Sequence, residues 1–339
     1  MILNPWILGL LAGHGTLLFI FLLAAINAWR IYKHWNFASS SEAQYNLEKR
    51  TYLVSSVMNM VLAVQLVMLF LLVLAADELS RLLPGAMCAT GVFSANEFGF
   101  PLLVLKIGLF FGYCSWLVLN YQDNRSESYP LIRTKYLLLL ILLPFVIAEW
   151  VLLLLFTLNL NPTVITSCCG SIYSENASGV GGLAAGVSPW ISLTALLSIS
   201  LIIQLKPAVK KVSFIKPDKQ SGLFNLMVWP LFFLIGIVNI ISFFSIYIYE
   251  MKNHQCPFCL IKGEYHYIGF PIYISLFVAT AAGVSCGALD WFKNPELDMK
   301  TFSRTQLRLG RSAKIGMWGF WFICFLPFVL YYLRTGRTI

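Results

Sequence analysis

The sequence predicts an all-α, polytopic membrane bundle of about eight transmembrane helices with both termini on the outer side. Three observations carry this. The 339-residue chain is 58% hydrophobic and only 12% charged, whereas a soluble domain carries about 25% charged residues. Apolar runs of about 20 residues, the length that crosses a bilayer as a helix, recur along the chain. Lysine and arginine fall in alternate connections between those runs.

The spans read 6–28, 52–76, 101–121, 136–159, 189–205, 224–248, 266–289 and 315–333. No connection is long enough for a soluble domain, so residues 1–339 read as one transmembrane domain. The first span has neither a basic segment before it nor a small-residue cleavage site before Arg30. It is expected to be a retained helix rather than a signal peptide.

Orientation follows from the basic residues. Arg30, Lys33, Lys49, Arg50, Arg125, Arg133, Lys135, Lys206, Lys210, Lys211, Lys216, Lys219 and the group from Lys293 to Lys314 follow spans one, three, five and seven. Those connections are placed inside. The net charge of +9 then reads as attraction to an anionic inner leaflet, not to nucleic acid. Cys88, Cys168, Cys169, Cys256 and Cys259 fall in outer connections, while Cys114, Cys286 and Cys324 fall within helices. A bacterial inner membrane with these loops facing the periplasm would permit disulfides there.

Span three opens with 97-EFGFPLLVL-105 and span seven with 264-EYHYIGFPIYISL-276. Each places Glu, then Gly-Phe-Pro, after a cysteine-bearing outer loop. This suggests two four-helix halves in parallel repeat, 1–160 and 185–339. It is equally the ordinary preference of proline for the first helical turn.

The chemistry centres on Cys256-Pro-Phe-Cys259. Placed at the N-terminus of span seven, the pair would meet the positive end of a helix, which favours thiolate. Lys262 would add positive charge about one turn on. A redox pair and a structural disulfide both fit. Half of a zinc site fits less well, because such sites take four ligands. Adjacent Cys168 and Cys169 bridge each other only with strain, so each is expected to pair elsewhere, for instance with Cys88 or with the CxxC.

A CxxC at the outer mouth of a helix, followed by a basic residue and an aromatic–Pro step, resembles the disulfide bond formation protein B family. It is similar also to vitamin K epoxide reductase. The resemblance is confined to the CxxC region, and Gly263 stands where that family carries its basic residue. It implies that Cys256 and Cys259 exchange electrons with a bound quinone, while a loop-borne cysteine pair relays them from a periplasmic thioredoxin-fold protein. Cys88, Cys168 and Cys169 are candidates for that relay by location only.

Within the membrane, His14 and His266 are expected at matched depth, about 10–12 Å below the outer surface. They would ligate a b-type haem, hydrogen-bond a quinone carbonyl, or simply satisfy an interhelical bond. The chain has four histidines and no CxxCH haem-attachment site. Intramembrane Glu149 and Lys106 either pair or, for Glu149, move protons to a quinone. The leading reading is a quinone-coupled thiol–disulfide oxidoreductase. The alternative is a quinone-binding or structural subunit of a larger electron-transfer complex, braced by its cysteines. A transporter ranks third.

Overall fold

A computed structural model describes residues 3–36, 41–126, 129–161, 188–205, 219–251 and 254–337. Every regular element among them is helical. The helices are α1 (Pro5–His34), α2 (Glu42–Leu79), a short α3 (Ala89–Phe93), α4 (Gly99–Asp123) and α5 (Ile132–Leu158). They continue with α6 (Pro189–Leu205), α7 (Lys219–Tyr249), α8 (Gly269–Trp291) and α9 (Met299–Thr335). Seven are long and apolar enough to cross a membrane, and α6, at 17 residues, is apolar but shorter. The chain is thus an all-α polytopic membrane bundle, with the fifth expected span present as α6 at the bounds expected for it.

Local chemistry sets the helix ends. Asn4 caps α1 by accepting from the Trp6 amide at 2.9 Å, with Pro5 in the first turn. Asp298 caps α9 by accepting from the amides of Lys300 and Thr301, and Gly336 ends it in the left-handed region. In α7 a π-turn at Ile240–Phe244 follows Asn239, whose amide donates to the Ser192 carbonyl of α6 at 2.8 Å. Helices α1, α2, α4 and α5 pack together, as do α6 to α9, and α4 meets α8 between the two groups.

The connections gather at two ends. At one, Lys262 donates to the Met87 carbonyl at 2.5 Å, and Arg334 pairs with Glu250 at 3.0 Å. At the other, Asn294 donates to the Pro130 carbonyl at 3.3 Å and Arg133 to the Trp35 carbonyl at 2.9 Å. Arg30, Lys33, Arg125 and Lys293 stand at this second end, opposite the CxxC. Lys135 departs from the expected pattern. It lies in α5 with no exposure and pairs with Asp123 at 2.7 Å. It closes the α4–α5 hairpin rather than contributing a loop charge. Asp123 also accepts from the Leu131 amide at 2.7 Å.

The two Gly-Phe-Pro steps do the same local job. Each glycine is the first residue of its helix, and each lies against the segment that follows a cysteine. A Cβ on Gly99 would stand 2.2 Å from the Phe93 carbonyl oxygen, and one on Gly269 would stand 2.8 Å from the Leu260 carbonyl carbon. Both obstacles are backbone, which cannot swing aside. Gly99→Ala is therefore expected to displace α3 and lower stability by about 1–3 kcal/mol, the usual cost of overpacking. Thermal unfolding in detergent and faster maleimide labelling of Cys88 report it; unchanged labelling and midpoint would contradict the packing.

Candidate functional site

Three sulfurs meet at the end of the bundle opposite the basic connections. The Sγ atoms of Cys88, Cys256 and Cys259 all lie within 4.8 Å of one another. Cys88 Sγ is 3.2 Å from Cys256 Sγ, and the Thr90 hydroxyl is 3.1 Å from the same Cys256 sulfur. All three cysteines are buried, Cys88 completely.

Each arm of the centre is anchored. Cys88 follows a turn with Gly85 at positive φ and precedes α3, whose five residues are all buried. The Phe93 ring of α3 packs on Phe258, between the two CxxC cysteines, at 5.9 Å. Two tyrosines hold the other arm: Tyr249 of α7 donates to the Cys256 carbonyl at 2.5 Å, and Tyr273 of α8 donates to the Pro257 carbonyl at 2.6 Å. Lys262 reaches across to Met87, and its ammonium lies 3.8 Å from Asp77. It therefore ties the Cys88 loop to the CxxC loop.

The CxxC does not sit at the N-terminus of a membrane-spanning helix, as the sequence suggested. Cys259 opens a three-residue 3-10 turn to Ile261, a second such turn spans Gly263–Tyr265, and α8 begins only at Gly269. A single short turn lacks the aligned peptide dipoles that lower a thiol's pKa. Cys259 is held above the usual thiol range: contact with Cys256 favours its thiolate, but neighbouring Cys88 and burial outweigh that.

His266 is exposed in the loop before α8, with φ of 54°, whereas His14 is buried within α1. His14 instead belongs to a polar knot among α1, α2, α4 and α5. The Lys106 ammonium reaches His14 Nε2 at 2.8 Å, Gln65 Oε1 at 3.2 Å and Glu149 Oε1 at 2.6 Å. His14 Nδ1 faces the Leu10 carbonyl at 2.8 Å, so the ring donates there and presents its Nε2 lone pair to the ammonium. This fills Lys106's three donor positions in a region where an unpartnered charge is costly. The expected Lys106–Glu149 pair is present, and it removes His14 and Glu149 from the cysteine centre.

Cys168 and Cys169 lie outside the described residues. A residue that the sequence reading passed over is His254, two positions before Cys256. Its ring stands edge-on to Tyr249 at 4.3 Å and stacks with Tyr265 at 6.3 Å. Burial pushes its imidazole pKa down, against an opposing influence from nearby Cys88. Its Nε2 is buried and has no hydrogen-bond partner among the described residues. The spacing His-x-Cys-x-x-Cys was the available signal.

The fold and the sulfur centre together define a polytopic helical membrane protein with a buried three-cysteine cluster at one end. No protein-family model, curated protein or solved structure significantly matches the chain.

Proposed function

We propose that the protein is a membrane thiol–disulfide oxidoreductase that passes electrons from dithiols to a quinone, with its cysteine end facing the periplasm. The observation that carries this reading is the 3.2 Å approach of Cys88 Sγ to Cys256 Sγ. It sets a third sulfur beside a CxxC pair, the arrangement that thiol–disulfide exchange uses. Lys262, Tyr249 and Tyr273 hold both arms in register for that exchange.

The Cys256 and Cys259 thiols give two electrons and two protons to a quinone, forming their S–S bond and one quinol. Cys88 then attacks Cys256 Sγ, losing its proton, and Cys259 leaves as thiolate and takes one up. The Cys88–Cys256 bond is reduced in turn by a dithiol, which closes its own disulfide and restores two thiols. Because Cys88 is fully buried, Cys168 and Cys169 are the candidates to bring that dithiol's electrons inward from a thioredoxin-fold partner.

The test uses the full chain in lipid nanodiscs with a short-chain quinone and a small dithiol. One quinol should form per disulfide, with saturation in quinone. Quinone reduction no faster than in protein-free nanodiscs would sink the proposal.

A further inference from the structure

The cysteine centre has a second capacity that electron transfer does not require. Three sulfurs converge from two loops far apart in sequence, all mutually within 4.8 Å, with one pair at 3.2 Å. A zinc–sulfur bond of about 2.3 Å places the sulfurs of a tetrahedral site about 3.8 Å apart. The observed separations bracket that value, so small side-chain rotations are enough to reach it. The sulfurs are buried, which excludes competing water.

A tetrahedral site needs a fourth ligand, and His254, two positions before Cys256, is the candidate; its ring nitrogens stand outside the 4.8 Å sulfur group, so the ring has to swing towards the sulfurs to bind. Its Nε2 is buried and unpartnered among the described residues. Tyr249 and Tyr265 fix the plane of the ring, and the Tyr249 hydroxyl also holds the Cys256 carbonyl. One tyrosine thus positions both His254 and Cys256. Three cysteines and one histidine form a closed ligand set for zinc, and thiolate-rich sites select soft, thiophilic cations over magnesium or calcium.

We propose that the reduced centre binds one zinc ion through Cys88, Cys256, Cys259 and His254. Binding replaces three S–H protons with three Zn–S bonds, releases those protons to solvent, and leaves His254 as a neutral nitrogen donor. A disulfide across any two of the sulfurs removes two ligands at once. The centre therefore holds either a sulfur–sulfur bond or the ion, never both. The inference goes beyond the oxidoreductase reading and does not rest on it.

The experiment uses the full chain, purified in detergent under reducing conditions, stripped with a chelator, and titrated with Co2+ as a spectroscopic stand-in for zinc. One cobalt per chain should bind, with near-ultraviolet thiolate-to-cobalt charge-transfer bands and the visible bands of tetrahedral coordination. Zn2+ should displace it stoichiometrically. Cys88→Ser and Cys259→Ser should each weaken the charge-transfer bands, and His254→Ala should keep them while altering the visible bands. Circular dichroism confirms that the variants retain their helices. An oxidant that closes a disulfide should release the metal.

No thiolate-to-cobalt bands in reduced wild-type protein with all three thiols titratable would overturn the proposal. So would cobalt binding that Cys88→Ser and Cys259→Ser leave unchanged. The two readings fail separately. Metal uptake by a protein inert toward quinone sinks only the oxidoreductase, and quinone reduction without metal uptake sinks only the zinc site.

Discussion

Cys256→Ser is expected to abolish quinone reduction and both of the disulfides that the exchange uses. Cys256 is the sulfur shared by the two bonds of the exchange: it pairs with Cys259 within the CxxC and touches Cys88 at 3.2 Å. Removing it leaves Cys88 and Cys259 without their common partner. Cys259→Ser behaves differently. It also stops quinone reduction, but Cys88 and Cys256 remain adjacent, so mild oxidation should trap them as a stable bond. Cys88→Ser should leave the Cys256–Cys259 bond able to form and slow its reduction by external dithiol. Serine is nearly isosteric with cysteine, and the surrounding tyrosine and lysine bonds run to backbone carbonyls, so the fold should persist in all three. Gel mobility after alkylation with a mass tag reads the pattern. Full activity in Cys256→Ser would end the exchange mechanism.

Lys106→Met is expected to cause a large loss of stability in the four helices α1, α2, α4 and α5. The side chain is 1% exposed and binds three partners on three other helices. Removing one member of a buried ion pair typically costs about 3–5 kcal/mol, because the other charge stays buried without compensation. Here Glu149 would keep only His14 Nε2, 3.3 Å from its Oε1, with its Oε2 already lacking a hydrogen-bond partner among the described residues. Lys106→Met combined with Glu149→Gln should recover a large part of the loss, since no charge is then stranded. Unfolding midpoints of the two single variants and the double variant in mild detergent measure the coupling. Equal loss in the single and double variants would show that the charges act independently.

The membrane architecture was legible because bilayer physics writes long apolar runs and sided basic residues directly into composition. The span boundaries were not. The seventh apolar run reads continuously from residue 266, yet α8 starts at Gly269, because residues 259–265 make two 3-10 turns and His266 and Tyr267 take positive φ. Periodicity does not distinguish such turns from a first helical turn. Lys135 misled in the same way: its position near the α4–α5 connection suggested a solvated charge, and only the fold brings Asp123 against it.

The CxxC lies in one of the two loops where the three sulfurs meet, but its partner was open among Cys88, Cys168 and Cys169. Cys88 lies 168 positions before Cys256, and pairing at that distance leaves no local pattern. The nearest hint was the shared Gly-Phe-Pro step, since both glycines abut the segment after a cysteine. The Lys106–Glu149 pair was readable because intramembrane charges need partners. The coupling of His14 to that pair, and not to His266, depended on which faces of α1 and α4 meet.

Peptide mapping by mass spectrometry after rapid alkylation, without reductant, tests the central claim most directly. The protein as purified, or after mild oxidation, should yield a disulfide joining Cys256 to Cys259 or to Cys88, and a dithiol should convert all three cysteines to alkylated thiols. If Cys88, Cys256 and Cys259 are all alkylated before and after oxidation, or if Cys88 is locked to Cys168 or Cys169 in a bond that dithiol does not open, the three sulfurs are not an exchange centre.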